Sequence, residues 1–193
     1  MEAHGRTIRL AALGDSLTAG YGLAPGESFT AVLQNSLQSH GFDAHVLNFG
    51  ISGDTTAGGL ARVSQIIALK PDGVILELGA NDDLSGLDPD DAFDNLSRII
   101  TQLGQADIPV LLVGMRVLAG SGHSYSDKFD AIFPRLAAEF HLPLYPYFLE
   151  GVAGDPALTL PDGLHPNAQG VREIVTRILP TVEHFVGALP PRP

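Results

Sequence analysis

The chain has 193 residues, enough to bury one substantial core, and no low-complexity or charge-block linker divides it, so residues 1–193 read as a single domain with ends at 1–6 and 189–193 expected to fray. Apolar residues make up 45% and charged residues 17%, which places the chain among folded globules rather than disordered segments. A formal charge of -11 repels nucleic acid and anionic membrane surfaces, and the lack of cysteine excludes disulfides, thiolate metal sites and a cysteine nucleophile. Too few apolar residues precede Gly14 for the core of a secretory signal, and no apolar run approaches the roughly 18 residues of a membrane span. The expectation is a soluble protein with no nucleic-acid partner and no membrane span. Its oligomeric state and its compartment, cytoplasmic or exported after removal of a leader, stay open.

Along the chain, short apolar runs alternate with stretches of helical period. Ile8 to Leu13 reads as a strand, and Gly14-Asp15-Ser16-Leu17 follows it. Gly14, lacking a Cβ, lets the chain turn sharply and sets Ser16 at the head of the next segment. Alone, Ser16 reads as readily as a helix cap; the segment lacks the Lys-Ser/Thr of a phosphate loop and the spacing of a dinucleotide fingerprint. Phe29, Val32, Leu33 and Leu37 share one helical face, and His45 to Phe49 is the second strand. In Ser52-Gly53-Asp54-Thr55, Gly53 can lend a backbone N–H or simply precede a helix capped by Asp54 or Thr55, which carries Leu60, Val63 and Ile67.

Val74 to Leu78 is the third strand, leading into Gly79-Ala80-Asn81-Asp82, where Asn81 can aim its amide at a developing oxyanion or serve as an ordinary cap. A helix through Phe93, Leu96, Ile99, Ile100 and Leu103 precedes a fourth strand, Val110 to Met115. The glycine- and serine-rich stretch Arg116 to Asp127 is expected to flank the substrate groove. Phe129, Ile132, Phe133, Leu136 and Phe140 share the next helical face, and Leu142 to Tyr147 is a weaker fifth strand. Asp162-Gly163-Leu164-His165 stands just ahead of Pro166, which suits the first turn of a terminal helix bearing Val171, Ile174, Val175, Ile178 and Val182.

This βα alternation predicts a three-layer α/β/α domain around a parallel sheet, with ligands bound beyond the carboxyl ends of the strands. Ser16, Gly53 and Asn81 all follow predicted strands. Acyl transfer through a serine needs a nucleophile, an imidazole base, a carboxylate to orient it and donors for the oxyanion, and these segments contain all four. His4, His40, His45, His123, His141 and His184 show neither an i, i+4 pair nor Cys/His spacing, so no metal and no cofactor are expected.

In this order the segments resemble the SGNH (GDSL) hydrolase family, from about Leu10 to the terminal helix. The resemblance implies a flavodoxin-like five-stranded parallel sheet and a triad of Ser16, Asp162 and His165. It also implies oxyanion donors from Gly53, Asn81 and the backbone of Ser16. Asn48-Phe49-Gly50-Ile51-Ser52-Gly53-Asp54-Thr55, Glu77-Leu78-Gly79 and Asp127-Lys128-Phe129 are most similar to the bacterial thioesterase I and arylesterase branch, which implies activity on acyl esters, aryl esters, thioesters and sometimes lysophospholipids.

One departure stands out. Gly79-Ala80-Asn81-Asp82-Asp83 replaces the family's Gly-Gly-Asn-Asp-Gly, followed by Leu84-Ser85-Gly86 in the loop of the acyl groove. Asp83 is expected to add a carboxylate to that groove and, with the net charge, to disfavour acyl-CoA and anionic lipids relative to neutral short-chain esters. Asp15, Asp83, Leu84, Arg116 and Leu118 are the expected substrate-binding residues. Alternatives that keep the triad are an acyl-CoA thioesterase or lysophospholipase and a carbohydrate deacetylase or transacylase. The rival from another class is a non-catalytic flavodoxin-like binding module, against which the late strand region, Leu142 to Tyr147, has no lysine.

Overall fold

The first strand, β1 (Ile8–Gly14), is buried along its whole length except Arg9, because its neighbours cover both edges and helices cover both faces. The computed structural model describes residues 7–118 and 122–191. Beside β1 lie β2 (Ala44–Gly50) on one edge and β3 (Gly73–Glu77), β4 (Val110–Val113) and β5 (Leu144–Tyr145) on the other, giving a parallel sheet of order β2-β1-β3-β4-β5. The order reverses between β1 and β3, which opens a crevice beyond their carboxyl ends.

Register aligns that crevice. Gly14 pairs with Gly50 of β2 and with Glu77 of β3, so three strands end level and their following loops emerge side by side. Those loops carry Ser16, Gly53 and Asn81.

The helices are α1 (Ser16–Ala19), α2 (Phe29–Ser39), α3 (Thr56–Leu69), α4 (Ala80–Leu84), α5 (Pro89–Gln105), α6 (Gly122–Asp130), α7 (Ile132–Phe140) and α8 (Ala168–Gly187). In the flanking layers α2 packs on α8, and α3, α5 and α7 form a row. Their apolar stripes, such as Leu96, Ile99, Ile100 and Leu103 of α5, are buried against the sheet. Among the described residues no helix is long and apolar enough to cross a membrane.

Three local outcomes differ from the sequence reading. The stripe from Phe129 to Phe140 is buried at Phe129, Ile132, Phe133 and Leu136 and half-buried at Phe140, but it is broken at Ala131 into α6 and α7. Pro134 explains the break: it lacks an N–H and its ring would strike the carbonyl four residues back, so it sits in the first turn of a new helix. The terminal helix starts at Ala168, capped by Asn167 Oδ1 on the N–H groups of Gln169 and Gly170, and His165 lies before it in a loop. The fifth strand shrinks to two residues. Of the tail beyond Ala188, Leu189 packs against the core, next to Phe185 at Gly73; residues 1–6 and 192–193 lie outside the described residues.

Candidate active site

Gly14 is a glycine for want of room: a Cβ there would strike the Thr18 hydroxyl and lie 2.6 Å from Glu77 Oε2. Asp15 then caps α1, its Oδ1 accepting from Leu17 N–H at 2.9 Å. Ser16 is the first residue of the helix, so its N–H has no carbonyl one turn back to receive it. Ser16, 8% exposed, reaches the surface of a small cavity.

His165 meets it from the opposite end of the polypeptide. Asp162 Oδ1 accepts from the N–H groups of Leu164 (2.9 Å) and His165 (3.0 Å), closing a tight turn. Asp162 Oδ2 then stands 2.6 Å from His165 Nδ1, and His165 Nε2 lies 2.9 Å from Ser16 Oγ. A carboxylate only accepts, so Nδ1 carries the proton and donates to Asp162, leaving Nε2 to accept from the serine hydroxyl. Two backbone N–H groups and the imidazole hold the Asp162 carboxyl down at about 2, led by the Leu164 N–H. An antiparallel bridge between Thr159 and Pro166, with Leu160 N–H donating to His165 O, fixes the loop on both sides.

Gly53 sits in a turn closed by Asp54 N–H donating to Ile51 O, with φ at +84°, a conformation that favours glycine. The helix that follows is capped by Thr55, whose Oγ1 accepts from Gly58 N–H. Asn81 Nδ2 donates to Asp54 O at 2.9 Å and to Asp15 Oδ2 at 3.3 Å. The sequence reading gave Asp82 no role. In the structure it is buried and accepts from Thr56 N–H (2.9 Å) and Thr56 Oγ1–H (2.6 Å), which ties the start of α3 to α4 and so holds the Gly53 and Asn81 loops together.

Several carboxyls crowd beneath this edge. Burial pushes Asp15 up to about 7, helped by the charges of Asp54 and Asp82. Glu77, wholly buried, accepts from the Thr18 hydroxyl through Oε2 at 2.7 Å, while Oε1 has no hydrogen-bond partner. Burial and the nearby Asp15 hold Glu77 well above the usual carboxylate range, and burial raises Asp82 as well. Among the described residues no group of three or more His, Asp or Glu side chains could hold a metal ion.

The cavity of about 250 Å³ is lined by Ser16, Gly53, Asn81 and His165 together with apolar walls from Leu17, Leu84, Leu118, Leu149 and Leu164, and by Tyr21. Of the five expected substrate-binding residues, Leu84 and Leu118 line this cavity. Asp15, Asp83 and Arg116 do not. Asp15 is buried behind Ser16 as a helix cap. Asp83 is buried too, its Oδ2 accepting from Leu118 N–H at 2.6 Å, so it shapes the wall without presenting a carboxylate to the groove. Arg116 is not part of the lining, and its guanidinium lies over the Tyr147 ring at 5.0 Å. Among the described residues of the stretch expected to flank the groove, only Leu118 lines this cavity. Gly122 to Tyr125 line a neighbouring cleft with Gly86 to Pro89, and Ala119 to Ser121 lie outside the described residues.

Tyr21, Leu149 and Leu164 were missed because each is an ordinary residue in its own segment. Only Leu164, inside Asp162-Gly163-Leu164-His165, carried a positional hint.

A hydroxyl whose proton can pass to an imidazole braced by a carboxylate attacks carbonyl carbon, and together with the 2-1-3-4-5 sheet that delivers it the class is a serine hydrolase. Comparison with known proteins supplies the particular family. The GDSL-like Lipase/Acylhydrolase family matches residues 12–173, and the chain belongs to it, closely related to the bacterial thioesterase I and arylesterase branch. The chain is 42% identical over 162 residues to an arylesterase of Vibrio mimicus, covering 83% of this chain and 81% of the relative. It is 40% identical over 156 residues to thioesterase 1/protease 1/lysophospholipase L1 of Escherichia coli, covering 80% of this chain and 74% of that one. The crystal structure of AlinE4, a SGNH-hydrolase family esterase, superposes with a TM-score of 0.80 at 44% identity, covering 98% of this chain and all of the other. The protein is a carboxylic ester hydrolase.

Proposed function

We propose that Ser16 is the nucleophile of an esterase for neutral short-chain acyl and aryl esters, with thioesters as secondary substrates. The observation that carries this is the unbroken series from Asp162 Oδ2 through His165 to Ser16 Oγ, at 2.6 Å and 2.9 Å. His165 takes the Ser16 proton as Oγ attacks the ester carbonyl, while Asp162 fixes the tautomer and stabilises the imidazolium. The N–H groups of Ser16 and Gly53 and the Asn81 amide receive the negative oxygen of the tetrahedral intermediate. Of the two Asn81 hydrogen bonds, the one to Asp15 at 3.3 Å is long and yields to the oxyanion; the one to Asp54 O at 2.9 Å orients the amide. The imidazolium then protonates the leaving alcohol, and water activated by His165 releases the acid.

The preference for short acyl chains rests on the cavity, whose volume of about 250 Å³ falls below the range of about 300–1,000 Å³ that holds drug-sized ligands, and on its leucine walls. The net charge of -11 supports neutral over polyanionic substrates; Asp83, being buried, does not contribute to that argument. The similarity to the arylesterase of Vibrio mimicus and the thioesterase 1 of Escherichia coli supports aryl esters and thioesters as the two leaving-group classes.

The test is a hydrolysis series of p-nitrophenyl esters from acetate to palmitate, with one acyl-CoA, against Ser16→Ala. The expected result is highest kcat/KM at the short end, no turnover above background for Ser16→Ala, and fluorophosphonate labelling that disappears in that variant. Labelling or turnover that survives the substitution places the nucleophile elsewhere.

A further inference from the structure

Arg62 lies on α3, yet its side chain is only 11% exposed and each of its three guanidinium nitrogens donates a hydrogen bond. Nε donates to Asp54 Oδ2 at 2.6 Å, Nη1 to Phe49 O at 2.6 Å and Nη2 to Gly14 O at 2.8 Å. The three acceptors come from three segments that converge on the oxyanion donors. The Gly14 carbonyl ends β1 two residues before Ser16. Phe49 and Asp54 bracket Gly53, whose turn is closed by Asp54 N–H on Ile51 O. The backbone carbonyl of that same Asp54 is the 2.9 Å acceptor that orients the Asn81 amide.

We infer that Arg62 is a positioning residue for the oxyanion hole: one planar fork sets the spacing between the strand that delivers Ser16, the turn that carries Gly53 and the carbonyl that aims Asn81. The inference rests on the roles proposed above for those three residues. Arg62 acts through them and touches no reacting atom.

Charge chemistry favours this over simple anchoring. A nearly buried ion pair adds little net stability compared with apolar side chains of similar volume, and α3 already packs through Val63 and Ile66. What an apolar side chain cannot supply is three donors at fixed angles. Guanidinium holds its N–H groups rigidly in one plane, whereas the ammonium of lysine is a compact point charge that cannot meet three separated acceptors in this way. Oxyanion donors act through preorganisation, so misplacing them reduces transition-state binding more than substrate binding.

The experiment compares wild type with Arg62→Lys, Arg62→Gln and Asp54→Asn. Active sites are counted with a fluorophosphonate, so that any misfolded fraction drops out. The readouts are kcat/KM for p-nitrophenyl acetate, Ki for a boronic acid that forms a tetrahedral adduct on Ser16, and Ki for the product acid, which forms none. In both Arg62 variants kcat/KM per labelled site should fall about 10- to 100-fold and the boronate Ki should rise in step, while the product Ki moves less than about twofold. Asp54→Asn keeps an acceptor for Nε–H and should lose less than about tenfold. Lower thermal stability with unchanged kcat/KM per labelled site and unchanged boronate Ki assigns Arg62 to the fold alone and overturns the proposal. Where Arg62→Gln does not fold, Arg62→Lys decides by the same comparison. Wild-type protein that fails to label at Ser16 removes the nucleophile assignment and this inference with it, whereas normal labelling with unaltered variants removes the inference alone.

Discussion

The Tyr21 ring lies over the imidazole of His165, with ring centroids 4.4 Å apart and planes tilted by 36°. Tyr21 is 51% exposed, so the contact forms the outer rim of the cavity. An aromatic face within about 6 Å of a cation stabilises it by about 0.5–1 kcal/mol at an exposed site, and in the proposed mechanism His165 becomes cationic as Ser16 gives up its proton. Tyr21→Ala should therefore lower kcat/KM about two- to fivefold, with Tyr21→Phe close to wild type. Equal losses in both variants would assign the effect to the phenol hydroxyl instead.

Asn81 gives a sharper prediction. In the proposed mechanism its amide is the one oxyanion donor supplied by a side chain, so Asn81→Ala should reduce kcat by about 10²- to 10³-fold. The same change frees the Asp54 carbonyl and the Asp15 carboxyl, each losing one hydrogen bond worth about 1 kcal/mol, so the fold should survive. Undiminished fluorophosphonate labelling together with the lowered kcat would confirm a donor role; loss of the folded state would not.

Protonation of the buried carboxyls should make stability fall as pH rises. The unfolded chain releases the Asp15 proton near 3.8, whereas burial holds it in the folded protein until about 7. Between those values the unfolded state binds fewer protons than the folded one, so the stabilisation present at acidic pH is lost as pH rises through 7; Glu77, also raised, acts in the same direction. Thermal melts should give a higher Tm at pH 5 than at pH 8. Glu77→Gln, which cannot ionise, should raise Tm at pH 8 and flatten the profile; a variant less stable at pH 8 than wild type would refute this.

Asp162 runs the other way. Its carboxyl is depressed from 3.8 to about 2, so its stabilising contribution is present above the unfolded value and is lost only as pH falls from about 4 toward 2. Carboxyl carbon shifts in an NMR titration should place its midpoint near 2, and a midpoint near 4 would mean that the His165 loop is open in solution. Asp162→Asn leaves the loop shape but favours the wrong tautomer of His165, and kcat should drop by about 10³- to 10⁴-fold.

Much of the architecture was legible in the residues. Continuous apolar runs gave the first four strands, and helical stripes gave the five long helical regions, because both patterns record burial locally. Where the reading slipped, a stronger local signal had been passed over. Pro134 divides one stripe between two helices, and Asn167 outcompetes Pro166 as the marker of the last helix start. Asp83 reads as a groove carboxylate because it stands where the family carries glycine, just ahead of the acyl-groove loop, yet α4 turns it inward to Leu118 N–H, which faces it from a loop 35 residues away.

By itself, then, the chain determined which segments become strands and helices, and which three short blocks hold a hydroxyl, an amide, and a carboxyl with an imidazole. Spacing, glycine geometry and apolar period are properties of neighbouring residues. Tertiary structure alone decided how those blocks face one another: the level ends of β1, β2 and β3, Arg62 bridging three segments, Tyr21 over His165, and Asp15 and Asp83 turned inward. The direction of a polar side chain depends on which donors packing brings within reach, and beyond the local cap from Leu17 those donors are distant: Asn81 lies 66 residues from Asp15, and Leu118 lies 35 from Asp83.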